Sequence, residues 1–410
     1  MTSDGSMYLV LPVPFRVAEG KTFVECQAAN GLDRWADNFR RVLVSAPVIP
    51  ETEVRNLKGF CWRDVETLEH RDRIVCQPLP WAYTPAAFAK TYAATRKLIS
   101  DSIAQCQHLQ FAIGGLVGDW AAVAALEAIQ QTRRYAIHTD RVEHEVIQKT
   151  ASSASSLRRL KIAVEAPLME RCHRHVIQRC SLGLWHGDDC FRAYSPWCRE
   201  NHLIHDVHTK ASDLIDDAAL ARKLDGIRSS EALTLCYAGR LDPMKAPLEW
   251  LRAMATARDL GAKLQAIWYG AGALLDEART EAKRLQLDGI VTIPGEFIRH
   301  AELLERLQSA HALVFTHITP ESPRNLIEAL VCGTPILGYD NAYAVDLLAT
   351  EGGGELVAIH DTNALGRVIA DLACDRDRLA EMTRKAAQNG RRFTDAAVFA
   401  ERSDLIKRFA

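Results

Sequence analysis

Short apolar runs that alternate with helical stretches constrain this chain more than any other feature. In the second half they are Leu233–Tyr237, Leu264–Trp268, Ile290–Ile293, Ala312–Phe315 and the run opening at Pro335-Ile336-Leu337. Between them, Trp250–Leu260, Leu274–Leu285, Glu302–Ser309 and Arg324–Leu330 carry apolar residues at helical spacing. Runs so short and continuously apolar suit strands buried on both faces, and the intervening helices supply the crossovers of a parallel sheet. The first half repeats the pattern. Met7–Val13, Val42–Ala46, Ile74–Cys76, Leu109–Ile113, Arg134–Ile137 and Leu182–Trp185 read as strands, with Phe23–Phe39, Phe88–Ser102 and Asp119–Gln130 as helices. The fold class is α/β and doubly wound, with ligand groups expected just past the carboxyl ends of strands.

At 410 residues the chain exceeds the size at which one core stops growing, so two domains are expected. The crossing falls near His205-Asp206-Val207-His208. Residues 1–208 form the first domain and 209–395 the second, and a last helix, 396–410, is long enough to pack back on the first. A net charge of -2 with a quarter of the residues charged argues against nucleic acid as a partner. Eleven scattered cysteines without a CxxC pair suggest a reducing cytoplasm, and the first apolar run, Met7–Val13, is too short for a signal peptide. No apolar run approaches the ~20 residues of a spanning helix, so any membrane contact would be peripheral, at the inner face.

Several loops combine residue types suited to anion binding. Ala238-Gly239-Arg240-Leu241-Asp242-Pro243-Met244-Lys245 follows a strand, and its two cations can clamp a diphosphate, Arg240 by a planar fork and Lys245 as a point charge. Tyr269-Gly270-Ala271-Gly272 follows the next strand and suits a backbone passing close to a ligand. The stretch His317–Tyr339 reads as loop, helix and buried strand. Pro320 and Pro323 keep its entry extended. Free N–H groups at Arg324, Asn325 and Leu326 would face an anion at the helix start, and Glu328, one turn on, would accept bonds from sugar hydroxyls.

In the first half, Gly20 stands at what reads as the first strand-to-helix turn, and His138 at a strand end, trailed by Asp140 and Arg141. Trp62, Trp81 and Tyr83 are read as packing residues before sugar platforms. Lys149–Cys180 carries Arg158, Arg159, Lys161, Arg171, Arg174 and Arg179 among apolar residues; ordinary solvated helices are one reading, a surface lying on anionic lipid the other. His202, His205, Asp206 and His208 are too loosely spaced to fix a metal. Asp375-Arg376-Asp377 reads as a solvated helix start, so no metal is expected.

Read in order, AGRLDPMKAP, YGAG and PESPRNLIEALVCGTPILGY resemble the second half of family-4 retaining glycosyltransferases of the GT-B fold, well over residues 230–395. The first half resembles the acceptor-side domain in layout and in His138. The resemblance implies two Rossmann-like domains facing a cleft, a nucleoside-diphosphate sugar held mainly by the second, and no required metal. Carried over by position, Gly239, Arg240 and Lys245 hold the diphosphate, Gly270 and Gly272 border the nucleotide, and Glu328 binds ribose hydroxyls. Ser322, Arg324, Asn325 and Leu326 line the donor loop, and His138 steadies the sugar or leaving group from the other domain. The family's earlier glutamate, eight positions before Glu328, is replaced by Pro320, and Glu321 stands seven before it. Either the loop shifts so that Glu321 reaches the donor sugar, or Arg324 and backbone amides serve the phosphate end and the sugar is read differently. The implied activity is transfer of a hexose to a glycan or lipid-linked acceptor, as in bacterial cell-surface polysaccharide or glycolipid synthesis. Alternatives are a GT-B nucleotide-sugar epimerase and a non-catalytic nucleotide-sugar-binding protein. A dinucleotide dehydrogenase would want GxGxxG after its first strand, which Pro12–Lys21 does not provide.

Overall fold

The computed structural model describes residues 3–54, 61–149, 156–205, 207, 209–319 and 323–410. The chain forms two compact units, Met1–His208 with Ala396–Ala410, and Thr209–Asp395.

The first unit runs β1 (Ser3–Val10), β2 (Phe15–Ala18), β3 (Lys21–Glu25), α1 (Cys26–Asn38), β4 (Arg41–Pro47), α2 (Glu51–Val54), β5 (Trp62–Asp64), β6 (Ile74–Leu79) and α3 (Pro85–Gln105). It continues through β7 (Cys106–Ala112), α4 (Trp120–Gln130), β8 (Ala136–Thr139), α5 (Glu143–Lys149), α6 (Ser156–Ile177), β9 (Leu182–His186), α7 (Gly187–Tyr194) and β10 (Asn201–Ile204). Seven of these strands form a parallel sheet in the order β10-β9-β8-β7-β1-β4-β6. Successive residues of β1 serve opposite faces, as strand geometry requires. Tyr8 and Val10 join one apolar layer with Phe111 and Trp120, while Met7 and Leu9 join the other with Val44 and Trp35. The last helix, Asp395–Phe409, adds Phe399 and Ile406 to that second layer. Phe399 meets Trp35 edge-on with ring centroids 5.0 Å apart.

Two expectations are corrected here. The helix expected to begin at Phe23 starts at Cys26, because Thr22-Phe23-Val24 is β-branched and aromatic and pairs with β2 on one side and β5 on the other. Glu25 then caps the helix, its carboxylate accepting from the Gln27 and Ala28 N–H groups at 2.8 and 3.0 Å. The cysteines are not all unpaired thiols. Cys26 and Cys61 form a disulfide, with Cα atoms 5.4 Å apart. Their 35-residue separation left no motif to read, and proximity comes only from the β3–β5 pairing.

The second unit contains α8 (Asp217–Ser229), β11 (Leu233–Ala238), α9 (Pro247–Asp259), β12 (Leu264–Tyr269), α10 (Leu275–Arg284), β13 (Val291–Thr292) and α11 (His300–Ser309). There follow β14 (Ala312–Phe315), α12 (Arg324–Val331), β15 (Ile336–Tyr339), α13 (Ala342–Leu348), β16 (Gly354–Val357), α14 (Thr362–Cys374) and α15 (Arg376–Gly390). Its sheet is wholly parallel, in the order β13-β12-β11-β14-β15-β16. The strand order therefore reverses between β11 and β14, which is where a doubly wound sheet opens a crevice beyond its carboxyl ends. Asp375 caps α15 by accepting from the Arg378 N–H at 2.9 Å, and Asp377 pairs with Arg228.

Among the described residues no helix is long and apolar enough to cross a membrane, and no group of three His, Cys, Asp or Glu is placed to hold a metal ion. Asp206 and His208 lie outside the described residues.

Candidate functional site

Three loops of the second unit converge beyond the order reversal. The loop after β11 holds Gly239, Arg240 and Lys245; that after β12 holds Gly270 and Gly272; that after β14 leads into α12. Backbone bonds lock them together. Gly239 N–H donates to Tyr269 O (2.9 Å), Leu241 N–H to Ala271 O (3.1 Å) and Ile318 N–H to Met244 O (3.1 Å). The Thr316 hydroxyl lies 2.9 Å from Lys245 O and 3.1 Å from Ala246 O.

This packing gives a structural reason for two glycines that were expected to border a nucleotide. A Cβ on Gly270 would lie 2.0 Å from Gly239 O, and one on Gly272 would lie 2.4 Å from Leu241 O. Gly270 also has φ +144, a region L residues rarely adopt. Their side chains are absent because the neighbouring loop fills that space. They thereby hold the Arg240–Lys245 loop in place.

Beneath the loops, Tyr237 and His317 are fully buried, with the Tyr237 hydroxyl 2.5 Å from His317 Nε2. Burial pushes the His317 imidazole well below its ordinary pKa, and the charge of Lys245 pushes the same way. A neutral imidazole can accept the phenol O–H, so this pair forms an uncharged floor under Lys245. Lys245 itself is 9% exposed. Arg240 is mostly in solvent, its Nε 3.2 Å from Asp242 Oδ2. The two cations thus share one loop but differ in setting, Lys245 largely desolvated and Arg240 largely hydrated.

At the start of α12, Pro323 is the N-cap and offers no side-chain oxygen, so the expected anion-facing end is uncapped by a side chain. One of its three expected free donors is already engaged: Leu326 N–H donates to Pro323 O at 3.2 Å. Asn325 anchors the helix by donating from Nδ2 to Ala238 O (2.7 Å), tying α12 to the end of β11. Arg324 is exposed beside them. Glu321 and Ser322, like Pro320, lie outside the described residues.

Glu328 is mostly buried, with His300 Nε2 3.0 Å from its Oε1. That bond raises the His300 pKa above its ordinary value, against the opposing effect of partial burial. His300 begins α11, and no spacing in the chain pairs it with a residue 28 positions on. Tyr237 read only as part of an apolar strand, and His317 only as the start of a loop.

The first unit carries a pocket of about 820 Å³ beyond the carboxyl ends of β1, β7 and β8, at that sheet's own order reversal. His138 lines it from within the end of β8 rather than just past it, and its Nε2 lies 3.2 Å from Asp140 Oδ1. Asp119 shapes the rim by accepting from the N–H groups of Gly114, Gly115, Ala121 and Ala122. Gly20 is not at a strand-to-helix turn. It forms the tip of the β2–β3 hairpin with φ +75, and the true β1 exit is Leu11–Pro14.

Residues 225–393 match the family described as Glycosyl transferases group 1. A D-inositol 3-phosphate glycosyltransferase of Streptomyces avermitilis is 30% identical over 187 residues, 43% of this chain and 40% of that protein. The chain thus matches less than half the length of that curated relative. The crystal structure of HepE of Anabaena in complex with UDP superimposes with a TM-score of 0.64, at 15% identity over all of both chains. Sucrose-phosphate synthase of Thermosynechococcus elongatus gives 0.60, at 14% identity over 98% of each. The fold is GT-B. Within it, β11–β16 form the Rossmann-like sheet; Arg240 and Lys245 lie on a switch-point loop, Glu328 lies in α12, and the sheet lies in the stretch with the family match.

Proposed function

We propose that this GT-B protein is a retaining glycosyltransferase that moves a hexose from a nucleoside-diphosphate sugar to the hydroxyl of a glycan or lipid-linked acceptor, without a metal. The observation that carries the reading is the meeting of the Arg240–Lys245 loop and the start of α12 at the β11/β14 reversal, inside the stretch similar to Glycosyl transferases group 1. UDP is the first donor nucleotide to try, since HepE is described in complex with it.

The chemistry follows from where charge develops. As the glycosidic bond breaks, negative charge grows on the departing diphosphate and positive charge on the sugar. Lys245, partly desolvated, interacts with that diphosphate more strongly than a fully hydrated cation would, and Arg240 adds a planar fork. Backbone N–H groups at the α12 start add dipoles fixed before reaction. Glu328, held by His300, accepts the ribose hydroxyls. The acceptor attacks from the leaving-group face and the departing phosphate takes its proton, so no protein nucleophile is needed.

The test is transfer of labelled hexose from UDP-, GDP- and dTDP-sugars, with donor hydrolysis followed in parallel. Arg240→Ala and Lys245→Ala each reduce turnover; unchanged turnover in both sinks the mechanism. Interconversion of the donor sugar without acceptor would favour the epimerase reading instead.

A further inference from the structure

The pocket of the first unit has a chemistry of its own. Much of its wall is apolar, from Ile113, Ile147, Leu160, Val164, Leu168 and Met169. Helix α6 contributes most of this in an unusual way. Its inner side buries Ile162, Ala166, His173 and Val176 in the unit, which is what a surface helix ordinarily needs. Yet Leu160, Val164 and Leu168, spaced by four, form a second apolar ridge that is 67%, 57% and 51% exposed and borders the pocket. An exposed apolar ridge continuous with a cavity of this size marks a binding surface rather than scattered surface residues.

The polar groups narrow the occupant. His138 and Asp140 lie together at the β8 end. Among the described lining residues, Arg141 and Lys161 are each matched by a carboxylate, Arg141 Nε 3.2 Å from Glu143 Oε2 and Lys161 Nζ 3.8 Å from Glu165 Oε2. Among the described residues no surplus positive charge faces the cavity, so a phosphate or sulfate headgroup gains little from them, while a hydroxyl can be met by His138 and Asp140.

We propose that this pocket binds an uncharged, hydroxylated amphiphile, its apolar body along Leu160, Val164 and Leu168 and its hydroxyl end at His138 and Asp140. Naming that molecule the acceptor rests on the glycosyltransferase reading; the ligand class does not.

The test is calorimetric titration of the full chain with monomeric hexyl, octyl and decyl β-glucosides, and with glucose. Each added methylene tightens binding about 4-fold, the equivalent of ~0.8 kcal/mol per buried CH₂, until the pocket is full, and glucose binds far more weakly. Val164→Glu and Leu168→Glu, at exposed positions that a folded chain tolerates, remove the chain-length dependence while leaving the melting temperature within a degree or two. Equal binding of glucose and decyl glucoside overturns the proposal. So does unchanged glucoside affinity in both variants, including the case where they lose only sedimentation with anionic vesicles, which would make the ridge a membrane contact. If the glucosides bind as stated but no nucleotide sugar raises the melting temperature, the glycosyltransferase reading falls and the pocket assignment stands.

Discussion

Lys245 and Arg240 show how two cations of one loop acquire different work from their surroundings. Lys245 is nearly buried above a neutral Tyr237–His317 pair, so an incoming anion would replace water lost on folding. Lys245→Ala removes a charge-assisted bond of ~1.5–3 kcal/mol and lowers kcat/KM about 10- to 100-fold; Arg240→Ala, whose side chain is largely hydrated, costs less. Steady-state kinetics on both variants checks the order. His300 offers a pH signature. Its bond to Glu328 raises its folded pKa above the unfolded value near 6.5. The stabilisation is therefore complete below about pH 6.5 and is lost as pH rises through the folded value. His300→Gln removes it, so urea unfolding of wild type and variant between pH 5.5 and 8.5 shows a difference that shrinks with rising pH. A difference that grows with pH would contradict the assigned bond.

Elements carry the site by bringing loops into contact. Gly270→Ala forces a Cβ against the Gly239 carbonyl at a φ that alanine rarely adopts, and destabilises by about 2 kcal/mol or more; denaturant unfolding measures it. A second effect lies deeper in the same sheet. The β11 residue Thr234 donates its N–H to His311 Nδ1 at 3.0 Å, which requires a neutral ring, and burial lowers the His311 pKa to about 4. Stability is thus lost as pH falls from 6.5 toward 4, and His311→Gln flattens that limb of the stability–pH curve. Parallel strands and helices were legible because continuous apolar runs such as Ala312–Phe315 are buried on both faces. Short antiparallel pieces were not: Lys21–Glu25 imitates a helix start, and its partner Trp62–Asp64 lies within a polar stretch. Of the site, Arg240 and Glu328 could be read from loop composition and resemblance. His300, Tyr237 and His317 could not, since each acquires its role through a tertiary contact that no local spacing encodes.

At the scale of the whole molecule, two sheets each reverse order once, and each carries chemistry beyond that reversal: cations and a helix start in one unit, an apolar pocket with His138 in the other. The central claim concerns the first of these, a nucleoside-diphosphate site at the β11/β14 reversal. Its most direct test is thermal unfolding of the full chain with UDP, GDP, dTDP and their sugars, beside Lys245→Ala. A ligand bound only by the native state at a hundred times its Kd adds about 2.7 kcal/mol. One nucleotide family should raise the wild-type melting temperature by several degrees, and the shift should shrink or vanish in Lys245→Ala. No shift with any of them, or the same shift in wild type and variant, would contradict the account.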